Sequence, residues 1–178
     1  MIAPVELARR LGLWVIGLCV IVFFYGLGKL ELVREPVELP LTALDHAIPF
    51  VPWTVWLYGT ITWASLGAWL TYRERADGAR LMAAIGLASA LCALVFVLWP
   101  TTFPRELYPL PDGLGARTLA ELRELRDDDS PSNCFPSLHV ALAWAIALTW
   151  ASWLRPRALA ALPIGWALVV SVTTITTK

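Results

Sequence analysis

The sequence predicts an all-α fold, a polytopic transmembrane helix bundle with about five spanning helices, and three observations carry that expectation. Hydrophobic residues make up 58% of the 178 and charged residues only 16%, and mean hydropathy is +0.64, well outside the range of water-soluble globular domains. The apolar residues are gathered into runs about as long as a bilayer is thick, which only helices can cross with their backbone groups satisfied. Arginines crowd the short connections between those runs, and tryptophans stand near their ends. The length corresponds to one membrane-embedded domain, residues 1–178. Formal net charge is zero, which gives no electrostatic reason to expect a nucleic-acid partner.

The first apolar run, residues 11–30, follows Arg9 and Arg10. It is longer than the core of a secretory signal and no small-x-small cleavage site follows it, so it reads as a retained span. Further runs cover residues 53–72, 81–99, 138–154 and 158–175. The N-terminus and the short connections 73–80 and 155–157 hold Arg9, Arg10, Arg73, Arg75, Arg80, Arg155 and Arg157, and the density of positive charge assigns them to the cytoplasm. The longer loops 31–52 and 100–137 carry most of the acids and face outward. On this reading Trp53, Trp56 and Trp99 line the outer interface, and Trp69, Trp150 and Trp153 the inner one. Cys19 and Cys92 lie in apolar runs, where packing is the expected role, and Cys134 stands alone in a polar stretch.

The second long loop contains a surface helix of its own. Thr118 and Glu121 form a T-x-x-E capping box, and Leu119, Leu122 and Leu125 mark an apolar side. Asp127, Asp128 and Asp129 follow. An acidic run at the end of a surface helix reads as a solvated loop, so no metal is expected there.

Chemistry concentrates in residues 131–140, Pro-Ser-Asn-Cys-Phe-Pro-Ser-Leu-His-Val, where the loop enters the fourth span. Pro136 presets the backbone of a helix start, Ser137 offers a hydroxyl, and the free first-turn amides sit at the positive end of the helix dipole, which together make an anion site. His139, within one turn of that site, has the proton affinity to protonate a departing oxygen. A packing or interhelical hydrogen-bonding role is the alternative for a lone histidine in a membrane helix.

The Pro-Ser-Leu-His stretch resembles the second signature of the type-2 phosphatidic acid phosphatase superfamily, in the branch similar to inositol phosphorylceramide and sphingomyelin synthases. Trp99-Pro100-Thr101-Thr102-Phe103-Pro104-Arg105 resembles that branch's first signature. Residues 44–52, Leu-Asp-His-Ala-Ile-Pro-Phe-Val-Pro, resemble its entry to the second helix, and residues 171–178 the opening of its third signature. The resemblance implies a six-helix fold with a phosphate pocket on one face. It matches Arg105 to the phosphate-clamping arginine, Ser137 to the oxyanion cradle and His139 to the histidine that protonates the leaving group, with Lys178 as a further phosphate ligand. Asp45 and His46 fall at the pocket's edge without an assigned role.

Two departures suit the synthase-like branch: Leu98 stands where the broader pattern has a lysine about seven residues before the arginine, and Leu138 replaces a glycine. A third is larger, because the resemblance to the third signature stops at Lys178, before the nucleophilic histidine and its aspartate. The expectation is therefore a chain truncated at its C-terminus, lacking the sixth helix. The implied activity is a lipid-phosphate phosphatase or phosphotransferase working through a phosphohistidine at the outer face of a bacterial plasma membrane. No cofactor is implied, and the partners are lipid phosphate or lipid diphosphate and the surrounding membrane lipids. A non-catalytic binding or assembly protein with a degenerate pocket remains open, as does a transporter, for which no inverted repeat is visible.

Overall fold

The computed structural model describes residues 2–30, 32–128 and 133–177. Among them three helices are long and apolar enough to cross a membrane: α1 (Pro4–Gly28), α5 (Arg75–Leu98) and the stretch Arg157–Thr176, a 3-10 turn followed by α8 (Ala161–Thr176). The shorter apolar helix α7 (Leu138–Trp153), a one-turn helix α2 (Ala43–Ala47) and a broken helical segment over residues 52–71 complete an all-α bundle.

Helix α1 starts earlier than the apolar run, with a proline at its N-terminus, and takes Arg9 and Arg10 into its body. The cause is local. Glu6 reaches both guanidinium groups, at 2.8 and 2.7 Å, so the acidic first turn and the arginines one turn later support one another. Arg10 also lies 4.0 Å above the Tyr72 ring and donates to the Leu70 carbonyl, tying α1 to the chain just after residue 69. The second span is a 3-10 turn (Pro52–Thr54), then α3 (Val55–Tyr58) and α4 (Thr60–Thr71). Gly59 between them keeps right-handed helical angles and its amide bonds to Val55, so the pieces follow one path. A reciprocal cap between Glu74 and Asp77 opens α5.

Helices α1, α5, α7 and α8 pack in sequence around a core that includes Trp69, Ile85, Phe96, Leu142, Ile146 and Val170. Gly28 lets α1 press directly on α5, since a Cβ there would stand 2.7 Å from the Phe96 ring. Trp69 and Trp153 are core residues, at 1% and 9% exposure, and do not form the interfacial belt expected of them. Trp69 packs edge-on against Tyr72 and lies beside Gly17 of α1. Trp53, Trp56 and Trp99 are exposed, as a belt requires. Cys19 is exposed and Cys92 buried.

Both long loops gather at one end of the bundle. Strand β1 (Val37–Glu38) pairs in parallel with β2 (Thr101–Thr102), and Thr101 also bridges to Asn133. Helix α6 (Ala116–Asp128) lies against α3 and the turn before it, with Leu122 fully buried. It begins two residues before Thr118, so that threonine is not its cap; the Thr118 hydroxyl instead accepts from the Trp56 indole at 3.2 Å.

Candidate active site

The site is built on the N-terminus of α7. Ser137 is the N-cap, and its Oγ accepts from the Val140 amide at 3.3 Å. Pro136 therefore precedes the cap and does not occupy the first turn, and a cis peptide joins it to Phe135. The amides of Leu138 and His139 are first-turn donors with no helical acceptor, at the positive end of the helix. His139 lies half-buried with its ring 4.2 Å from that of Tyr58.

Thr101 fixes the loop that leads to this helix. Its hydroxyl accepts from the Phe135 amide at 2.9 Å and its carbonyl from Cys134 at 3.0 Å, alongside the bridge to Asn133. Four residues on, a 3-10 turn (Arg105–Leu107) presents Arg105, whose Nη1 donates to the Arg126 carbonyl at 2.9 Å. Arg126 is anchored in turn: its Nη2 donates to the Tyr108 carbonyl at 2.7 Å, and its guanidinium lies 5.4 Å from the Phe50 ring. Burial, and then the charge of Arg105, lower the proton affinity of Arg126 below the ordinary arginine value. The end of α8 closes the remaining side, where Val51 donates to the Thr176 carbonyl at 2.8 Å and the Thr54 and Thr176 hydroxyls lie 2.8 Å apart.

These elements surround a cavity of about 310 Å³ whose walls include Arg105, Ser137 and His139, the three residues that the sequence put forward and that the structure describes. Lys178, the fourth, lies outside the described residues. Asp45 also lines the cavity and accepts from the Thr42 amide and hydroxyl, at 2.8 and 2.6 Å. His46 is exposed and is not part of the wall. Leu98, at the lysine position of the resemblance, is exposed on α5. Among the described residues no cluster of three or more His, Cys, Asp or Glu could hold a metal ion; Asp129 and the side chains of Asp127 and Asp128 lie outside them.

Sequence reasoning missed Arg126, Asn133 and Tyr58, all of which line the cavity. Arg126 had a signal, because it stands four residues after Leu122 on the buried stripe of α6. Asn133 had none, since its placement depends on backbone pairing to a strand far away in sequence.

An apolar helix bundle with three helices long and apolar enough to cross a membrane, and a cavity at the N-terminus of α7, defines an integral membrane protein. The chain belongs to the PAP2 superfamily, whose model matches residues 35–177. The match takes in the whole cavity wall except Tyr25 of α1, and membership supports a phosphatase-type function. Comparison with curated proteins and with solved structures finds no match.

Proposed function

We propose that the protein is a lipid-phosphate phosphatase or phosphotransferase of the branch resembling inositol phosphorylceramide and sphingomyelin synthases, acting on a lipid phosphate or diphosphate at the outer membrane face. The observation that carries this reading is the convergence of Arg105, from a 3-10 turn, with Ser137 and His139, from the start of α7, on one cavity. Arg105 offers a fork of donors to two phosphate oxygens, and the Ser137 hydroxyl with the first-turn amides of α7 stabilises charge on the others. Lys178 adds a second positive side chain in this reading. His139, braced by Tyr58, protonates the alcohol as its bond to phosphorus breaks.

In the two-step form of the reaction, a nucleophilic histidine attacks phosphorus as the alcohol leaves, and water or a second alcohol then attacks the phosphohistidine. His46, exposed and outside the cavity wall, does not suit that nucleophile. A second cavity of about 360 Å³ supports a lipid substrate. It shares Tyr25, Tyr58, Leu125, Leu138 and His139 with the first and continues along apolar walls such as Ile21, Val55, Ile61 and Ile85. A hydrocarbon chain there leaves its phosphate beside His139.

Expressed from its natural reading frame, the Arg105→Ala or His139→Ala protein should release phosphate from lipid phosphates on the order of a hundredfold more slowly than the parent. Near-parental rates in either purified, folded variant refute the assignment. Phosphate binding with no turnover by the parent on any lipid phosphate favours a binding protein instead.

A further inference from the structure

Two polar side chains of the cavity take no part in the reaction just described. Asn133 is 7% exposed, and among the described residues neither its Oδ1 nor its Nδ2 has a hydrogen-bond partner. A folded protein rarely leaves a buried carboxamide unsatisfied, because the group has lost water and gained nothing in exchange. Its backbone is paired with Thr101, itself 1% exposed, so the side chain is held in the cavity wall.

The second is Arg126. It lines the same cavity as Arg105, and the contacts of its guanidinium to the Tyr108 carbonyl and the Phe50 ring hold it in place. Burial, and then the nearby positive charge of Arg105, lower the proton affinity of Arg126. An anion between them reverses the sign of that arrangement. Arg105, Ser137 and the first-turn amides already provide donors for one phosphoryl group. A cavity of about 310 Å³, at the lower edge of the range that takes a whole small molecule, has room for more than that group.

We infer that Arg126 and Asn133 form a second anion subsite beside Arg105, which receives the outer or inner partner of a diphosphate, so that the cavity prefers a diphosphate over a monophosphate. The inference rests on the phosphate reading of the Arg105 subsite. Arg126 supplies the charge and Asn133 the neutral donor, its Nδ2 pairing with a phosphoryl oxygen and its Oδ1 with a protonated oxygen or bound water.

The test uses the purified 178-residue chain in detergent, with inorganic phosphate and methylenediphosphonate, which cannot be hydrolysed, as probes in calorimetric titration and thermal unfolding. Methylenediphosphonate should bind at least tenfold more tightly than phosphate. Arg126→Gln and Asn133→Leu should each remove most of that preference while leaving phosphate affinity within about twofold, and Arg126→Lys should restore part of it. Without ligand, Asn133→Leu should unfold no earlier than the parent, since it removes an unsatisfied group; a structural role for Asn133 gives the opposite shift. Equal affinity of the parent for the two probes overturns the inference, as does a parallel loss of both probes in the Arg126 variants. Arg105→Gln separates the two readings: if it binds phosphate as well as the parent does, the phosphate reading fails, whereas its loss of phosphate with an unchanged Arg126→Gln titration sinks only the second subsite.

Discussion

Thr101 shows how much of the site depends on one hydroxyl. At 1% exposure it accepts from the Phe135 amide, and its carbonyl accepts from Cys134, so the loop entering α7 is stitched to the strand that precedes Arg105. Thr101→Val keeps the shape and removes the acceptor. It should cost about 1–3 kcal/mol, the penalty for an amide left unpaired away from water, and it should weaken phosphate binding more than it lowers helix content. Circular dichroism with phosphate titration checks this, and unchanged stability with unchanged binding rejects it. Ser137 and His139 were put forward from local chemistry, a proline-serine helix start with a histidine two residues on, and Arg105 from the family resemblance, and the structure brings the three to one cavity. Arg126 and Asn133 were not legible in that way. One sat at the end of the surface helix, beside the acidic run that read as a solvated loop, and the other gains its meaning only when residue 101 is beside residue 133.

At the level of elements, the apolar runs located the helices, while their ends were set by side chains outside those runs. Glu6 draws α1 back past Arg9 and Arg10, and the Glu74–Asp77 cap starts α5 ahead of its apolar stretch. Hydropathy is blind to both, because each is a polar arrangement that stabilises helix termini. The surface helix α6 was anticipated with its buried leucine stripe, yet its start was misread, since the threonine expected to cap it is bonded to Trp56 on a neighbouring helix. Among the glycines, the closest approach to a neighbouring helix is at Gly28. A methyl group there meets the Phe96 ring at 2.7 Å and its Cβ at 2.8 Å, and Phe96 is 1% exposed with no free space to yield. Gly28→Ala should therefore destabilise the bundle by about 1–3 kcal/mol despite alanine's better helix propensity. Gly12→Ala, where nothing lies within 4 Å, is the matched control and should be neutral or slightly stabilising in the same unfolding assay.

For the molecule as a whole, the two long loops share one end of the bundle through the β1–β2 pair, as their common side in the charge-density reading requires. The direction in which that end faces rests on the dense arginines of the short connections. In a background without the native cysteines, Cys placed at the exposed positions Asp112 and Arg157 should react with a membrane-impermeant reagent from opposite sides, Asp112 from outside. Labelling of both from one side defeats the helix count, and labelling of Asp112 only from within reverses the orientation. The contacts between Thr176 and residues 51 and 54 carry a consequence for biogenesis. A ribosome delivers Arg105 and His139 to the translocon well before Thr174–Thr177, which form the remaining wall. Until α8 has partitioned into lipid and its final turn has docked on the entry to α3, the nascent chain holds its cationic groups without an enclosure around them. The cavity therefore gains its full wall late, with the release of α8 into the bilayer.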